Sequence, residues 1–157
     1  MARRHPAIAQ LLALVDEGFD RAAWHGPTLW GALGGVTARQ AAWRPARGRH
    51  NIREIALHAA FWKHMVRRRL TGNRRGAFPL AGDDWLAVDP SRTWRDDRRL
   101  LASEHRKLRA VIAAYPARAL DTAIDAKRQT AAYSIRGIAA HDLYHAGQIQ
   151  LLKRLQR

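Results

Sequence analysis

Apolar residues recur along this chain three or four positions apart, which is the spacing of amphipathic helices, and β-branched residues are too sparse to predict strands. The first apolar stripe predicts a helix from Pro6 to about Trp24, since proline suits the first helical position. Its inward positions are Ile8, Leu11, Leu12, Val15 and Phe19. The pattern therefore predicts an all-α protein.

A second helix is predicted to begin after Asn51, a favourable N-cap residue, because Glu54 stands three positions later as in a capping box. It should end near Thr71 and Gly72, since glycine readily takes the left-handed conformation that ends helices. The inward stripe of this helix consists of Ile52, Ile55, His58, Trp62, Met65 and Val66.

Two further helices follow. The third is predicted from Ser91 or Thr93 to Tyr115, where Pro116 stops it; its stripe is Trp94, Leu101, Leu108, Val111 and Ile112. The fourth is predicted to start after Ser134, with Tyr133 and Ile138 placed as a hydrophobic staple. Its inward face is Ile138, His141, His145, Gln148, Ile149 and Leu152.

The connections between these helices are long. Residues 25–50 carry Gly-Pro, Gly-Gly and Arg-Pro breakers, with room for one short helix over residues 37–42. Residues 73–90 include Phe78, Asp83, Asp84 and Trp85, and their number indicates a crossover or a wall over a site. Residues 117–133 form the third connection. The pattern predicts a four-helix bundle, with residues 1–157 forming one domain.

The charge balance adds a second consideration, since 28 basic side chains against 13 acidic ones give a net charge of +15. Such a charge raises nucleic acid or an anionic small molecule as a partner. A genome rich in G and C, whose codons favour arginine and alanine, is the simpler explanation, so nucleic acid is not the favoured partner. The arginine runs at residues 67–69 and 98–99 are predicted to be solvated helix faces. The chain contains no cysteine, which excludes disulfides and a protein thiolate.

Neither membrane nor export signals are evident. The N-terminal segment is interpreted as an amphipathic helix rather than a signal peptide, because Asp16 and Glu17 interrupt its apolar run. No apolar run approaches the roughly 20 residues of a membrane span. We therefore expect a cytoplasmic protein that does not enter the membrane.

Candidate chemistry comes from the histidines. His141 and His145 stand four apart, so they share one helix face with Cβ atoms about 5–6 Å apart, and His58 lies on the inward stripe of the second helix. Three neutral imidazoles converging in a bundle would match the three protein ligands of a catalytic zinc site, with a further position open. Each histidine alone could instead be a core residue, but one metal ion would satisfy all three. Imidazole also suits nickel, iron and copper.

The remaining histidines are weaker candidates. His105 lies on the stripe of the third helix, either as a core residue or near the site. His64 is six positions beyond His58 and should point to a different face. His5, His25 and His50 fall at a terminus or in connections.

Three segments of the chain follow a known pattern: NIREIALHAAFWKHMVRRRLTG around His58, YSIRGIAAHDLYHAGQIQLLKR around His141 and His145, and AAWRPARGRHN ahead of the second helix. In these segments the chain resembles the DinB-like family of bacterial four-helix bundles. The similarity extends over nearly the whole chain. The resemblance implies a DinB-like bundle in which these three histidines bind a divalent metal ion, zinc or nickel above all. It also implies a homodimer.

The family resemblance further implies an activity. Better characterised members join a low-molecular-weight thiol, such as bacillithiol or mycothiol, to an electrophile, so a small thiol and an electrophile are the expected partners. Tyr144 and Gln148 lie near the ligands by helical geometry, and Gln148 could orient a ligand, but the sequence identifies no catalytic base.

Two alternatives stay open: a basic helical module that binds nucleic acid, and a metal-binding bundle without catalytic activity.

Overall fold

A computed structural model describes residues 5–72 and 76–157, and within these ranges the regular structure is helical. The α-helices are α1 Pro6–Phe19, α2 Leu29–Ala32, α3 Ala38–Ala42, α4 Ile52–Thr71, α5 Trp94–Ala114 and α6 Ala131–Leu155, and a short 3-10 helix spans Ala117–Ala119. The prediction of an all-α protein is confirmed.

The four long helices form the bundle. Helix α4 packs against both α5 and α6, and α1 packs against the same two helices, so the four enclose a common core. The short helix α2 packs mainly against α6. The predicted stripe of α1 is buried throughout: Ile8, Leu11, Leu12, Val15 and Phe19.

Several helix ends follow from local chemistry. Asn51 and Glu54 form the predicted capping box at the start of α4, and Gly72 ends that helix in the left-handed conformation, with φ of 59°. At the start of α5, the Thr93 side chain accepts from the Asp96 amide, which settles the two alternative starts in favour of Thr93.

Two predicted boundaries are wrong. Helix α1 ends at Phe19 rather than near Trp24, and Trp24 is fully exposed at 102%, so no core contact extends the helix that far. Helix α6 begins earlier than predicted, because Thr130 rather than Ser134 accepts a hydrogen bond from the Tyr133 amide as the N-cap. The staple that was predicted for Tyr133 and Ile138 is therefore absent, and Tyr133 is exposed. The first connection contains the predicted short helix α3 and also α2, which the sequence pattern did not predict.

Ion pairs cross the interfaces between the long helices. Lys63 of α4 and Asp142 of α6 pair with 0% side-chain exposure on both sides. Arg53 of α4 pairs with Asp97 of α5, and here the arginine side chain is 15% exposed while the aspartate is fully buried. The arginine run at 67–69 is partly buried rather than simply solvated, since Arg67 contacts the buried Glu104 of α5.

Helices α1 and α6 touch at a glycine. A Cβ atom placed on Gly18 would lie 2.9 Å from the carbonyl oxygen of Ala139, closer than real Cβ contacts allow. The missing side chain at residue 18 thus lets the two backbones approach. Among the described residues, no helix has the length and apolarity to cross a bilayer.

Candidate metal centre

The three histidines singled out in the sequence converge in the structure. Nε2 of His141 lies 3.0 Å from Nε2 of His58 and 3.0 Å from Nε2 of His145. One possible ligand atom from each of the three residues lies within 4.8 Å of the others. Helix α4 supplies the first imidazole and α6 supplies the pair, so packing of these two helices assembles the cluster.

Hydrogen bonds on the far side of two rings fix which nitrogen carries the proton. Nδ1 of His58 lies 3.1 Å from the main-chain carbonyl oxygen of Asp84, which can only accept, so this nitrogen must donate. Nδ1 of His145 lies 2.6 Å from Oε1 of Gln148, which accepts in the same manner. In the neutral rings, Nε2 of both His58 and His145 therefore presents a lone pair to the centre of the cluster.

His141 cannot satisfy both of these lone pairs by itself. A neutral imidazole carries one N–H, so a proton on Nε2 of His141 could be donated to only one of the two neighbouring nitrogens. Its Nδ1 is buried and has no hydrogen-bond partner among the described residues. The nitrogen lone pairs that face one another repel, whereas a cation at the centre of the cluster would accept all of them as ligands. The residues present therefore fit a divalent metal.

The spacing of the Nε2 atoms also fits a metal site. With metal–nitrogen distances of about 2.0–2.1 Å, right-angled to tetrahedral bond angles place two ligand nitrogens about 2.8–3.4 Å apart. The two observed separations of 3.0 Å lie within this range. The donor set is nitrogen only, which suits zinc and nickel but does not select between them.

Burial keeps the imidazoles neutral at physiological pH. Loss of hydration lowers the pKa of His141 to about 3 and the pKa of His145 to about 4, with neighbouring imidazoles adding to the effect on both. Burial also lowers the pKa of His58 below its ordinary value, although the Asp84 carbonyl and carboxylate oppose this. Neutral imidazole is the form that binds metal ions.

An indole covers one side of the cluster. The Trp85 ring stacks on His58, with centroids 3.9 Å apart and planes 8° apart, and its other face stacks on His50 at 3.5 Å and 7°. The carboxylate of Asp84 accepts a hydrogen bond of 2.7 Å from Nε1 of Trp62. The loop that was expected to wall a site does so here through residues 84 and 85; its positions 73–75 lie outside the described residues.

Asp84 adopts a conformation that few side chains tolerate, with φ of +45°. Aspartate and asparagine enter this left-handed region more readily than most residues. The bend turns the Asp84 carbonyl toward His58. Sequence reasoning named Asp84 as part of a cover but not as a partner of His58, because the contact depends on the path of the loop.

The weaker candidates for the site lie outside the histidine cluster or at its edge. His105 is buried and stacks on Phe19 at 3.7 Å and 12°, away from the cluster, so it is a core residue. His64 faces α5 as expected from its offset, with Nδ1 3.3 Å from Oε2 of Glu104. Gln148 contacts His145 as expected. Tyr144 is 65% exposed, although its ring lies 5.2 Å from that of His145.

Comparison with known proteins gives one family match. A family model described as the DinB superfamily matches residues 21–149, a range that contains all three histidines of the cluster. No curated protein and no solved structure matches the chain.

Proposed function

This chain belongs to the DinB superfamily, and on that premise we propose that it is a metal-dependent transferase that joins a low-molecular-weight thiol to an electrophile. His58, His141 and His145 would hold one divalent ion, zinc or nickel. The observation that carries the metal site is that Nε2 of His141 lies 3.0 Å from Nε2 of both His58 and His145, whose lone pairs are directed at it by the hydrogen bonds of their Nδ1 atoms.

A bound divalent ion would supply Lewis-acid chemistry by lowering the pKa of a thiol that completes its coordination. The thiol must come from a cosubstrate, because the chain has no cysteine. In the transfer, the thiol proton is lost to solvent, sulfur forms a bond to the electrophilic carbon, and the leaving group departs with its electron pair.

The residues around the cluster support a role in binding a metal ion and a thiol. Asp84 and Gln148 hold the imidazoles of His58 and His145 in one tautomer and orientation, as ligand partners commonly do. Trp85 covers the face of His58 and limits the access of water from that side. Anionic groups on the thiol would find guanidinium partners readily, since basic residues outnumber acidic ones by 28 to 13.

Metal content tests the first half of the proposal. Protein made without a histidine tag, together with its His58→Ala and His141→Ala variants, would be analysed for metals. We expect about one zinc or nickel per chain in the wild type and loss in both variants, because each variant removes a ligand. His105→Gln is the matched control, since it alters a buried histidine outside the cluster and should keep the metal. No uptake after incubation with zinc, nickel and iron would overturn the metal site.

Thiol consumption tests the second half. The metal-loaded protein would be incubated with bacillithiol or mycothiol and 1-chloro-2,4-dinitrobenzene, and release of chloride followed. Faster transfer with wild type than with His141→Ala supports the transferase. Full metal content with no transfer across a panel of thiols and electrophiles would instead favour a metal-binding bundle without catalysis.

One observation favours the nucleic-acid alternative. Arg95, Arg98, Arg99 and Arg106 lie along one side of α5 and, with Trp30 and Trp94, line a cavity of about 440 Å³. Among the described residues, Arg95, Arg98 and Arg106 form no ion pair with a carboxylate. If charge drives DNA binding, replacing these three by glutamine should weaken it, while His141→Ala should leave it nearly unchanged. The homodimer stays a prediction.

A further inference from the structure

A narrow groove runs between α4 and α6 beside the histidine cluster, and His141 is one of its lining residues. Its volume is about 140 Å³. Of the three clustered histidines, His141 is the one that is not fully buried. The groove is therefore an approach to the cluster on a side that Trp85, stacked on His58, does not cover.

The groove is mainly apolar. Val66 and Ile138, with 5% and 3% exposure, contribute buried aliphatic surface, while the rings of Trp62 and Tyr133 contribute aromatic surface. Ser134 also lines it, and its buried hydroxyl has no hydrogen-bond partner among the described residues. Such a lining suits a small, flat, largely apolar group.

Gly137 lines the same groove from within α6. Glycine weakens a helix interior, so its presence there usually has a packing reason. No packing reason of this kind exists for Gly137 among the described residues, because a Cβ atom at this position would meet nothing within 4 Å. The absent side chain leaves open a space that almost any other residue would narrow.

We propose that this groove binds the aromatic ring of the electrophilic substrate and holds it beside His141. The inference rests on the proposed function, of which it names the substrate class: a small aryl compound. The size supports a single ring, since an engineered apolar cavity of about 150 Å³ binds benzene. The guanidinium of Arg69 lies 5.7 Å from the Trp62 ring at the groove. It also lies 3.7 Å from Oδ2 of Asp125, so an anionic substituent on the aryl ring would share this guanidinium with that carboxylate.

The test uses two probes. The first is 4-phenylimidazole, compared with imidazole on cobalt-loaded protein by the visible cobalt spectrum, because the imidazole part binds the metal and the phenyl part reports on the groove. The second is fluorobenzene on metal-free protein, followed by ¹⁹F NMR. Both would be applied to the wild type, to Gly137→Leu, which fills the groove, and to Gly147→Leu. The last is a matched control, since Gly147 lies in the same helix, also has nothing within 4 Å of an added Cβ atom and lies outside the groove.

We expect the phenyl group to improve binding to the wild type about tenfold or more, as burial of a ring allows. Gly137→Leu should abolish this advantage and the fluorobenzene signal, while plain imidazole still binds and Gly147→Leu behaves as the wild type. An equal phenyl advantage in Gly137→Leu, or no fluorobenzene binding to the wild type, would overturn the groove assignment with the metal site intact. Failure to bind cobalt would instead overturn the proposed function, and fluorobenzene would then decide on the groove alone.

Discussion

The main-chain carbonyl of Asp84 accepts a hydrogen bond from Nδ1 of His58 across 26 positions of sequence, at 3.1 Å. The carboxylate of the same residue lies 3.2 Å from that nitrogen and also accepts from Trp62. One loop residue thus sets the tautomer of His58 and ties the loop to α4. The metal affinity should therefore depend on how the loop places Asp84.

Replacement of Asp84 tests this dependence. Asp84→Ala should weaken metal binding about tenfold or more, as loss of a partner of a ligand typically does. Alanine is strained at a φ of +45°, so the carbonyl should turn away from His58. Asp84→Asn tolerates the conformation and should bind metal within a few-fold of the wild type. Metal dissociation constants from competition with a chromogenic chelator provide the measurement.

Asp84→Gly separates the two contacts of this residue. Glycine keeps the left-handed backbone but removes the carboxylate. If the carbonyl orients His58, this variant should resemble Asp84→Asn. If it is as weak as Asp84→Ala, the carboxylate is the more important partner. Wild-type affinity in all three variants would show that Asp84 does not support the site.

A buried histidine outside the metal site predicts a pH dependence of stability. Burial, with the charges of Lys63, Arg109 and Arg106, lowers the pKa of His105 to about 3 from its ordinary value of 6.5. Above pH 6.5 His105 is neutral in both the folded and the unfolded state, so its protonation does not change the free energy of unfolding. As the pH falls from 6.5 toward 3, the unfolded state takes up the proton first, and the folded state loses stability.

The loss of stability that His105 causes at low pH has an upper limit. One group can contribute a slope of at most about 1.4 kcal/mol per pH unit. Urea unfolding of metal-free wild type and His105→Gln at pH 7.5, 6 and 5 should show a shallower loss of stability in the variant. Because carboxylates and the other histidines titrate in both proteins, the difference between them isolates His105. Identical slopes would contradict the assignment.

The buried pair of Lys63 and Asp142 predicts a non-additive pattern of stability. Burial raises the pKa of Asp142 while the Lys63 ammonium opposes that shift, and both side chains have 0% exposure. Lys63→Met or Asp142→Leu alone leaves an uncompensated buried charge and should cost about 3–5 kcal/mol of unfolding free energy. The double variant should recover much of this loss, since an apolar pair needs no charge compensation. Denaturant titration of the four proteins measures the coupling, and strictly additive losses would contradict it.

The elements predicted best were those whose signals are local. The Asn51 and Glu54 capping box, the end at Gly72 and the buried stripe of α1 depend on residues a few positions apart, and the structure has them as predicted. The positions of His58, His141 and His145 also followed from helical spacing, because inward faces of a bundle must meet. Whether they bind metal is a prediction that the experiments above address.

The features that the sequence pattern missed are mostly tertiary. The pair of Lys63 and Asp142 joins residues 79 positions apart, and a lysine on a helix gives no sign that it will be buried. The stack of His50, Trp85 and His58 depends on two connections meeting at one ring. The start of α6 was missed for a different reason: Thr130 and Ser134 are both suitable caps, and propensity alone does not choose between them.

The two oriented imidazoles of the cluster depend on contacts of different range along the chain, 26 positions for His58 and three for His145. His145 and Gln148 stand three residues apart in α6, so their contact can form as soon as that helix does. His58 requires both the docking of α4 and the closure of the loop that carries Asp84. These sequence separations predict stepwise assembly, in which His141 and His145 of one helix would contact an ion before His58 is oriented. Closure of the loop would then retain the ion, so changes at residue 84 should alter the rate at which an ion dissociates more than the rate at which it first binds.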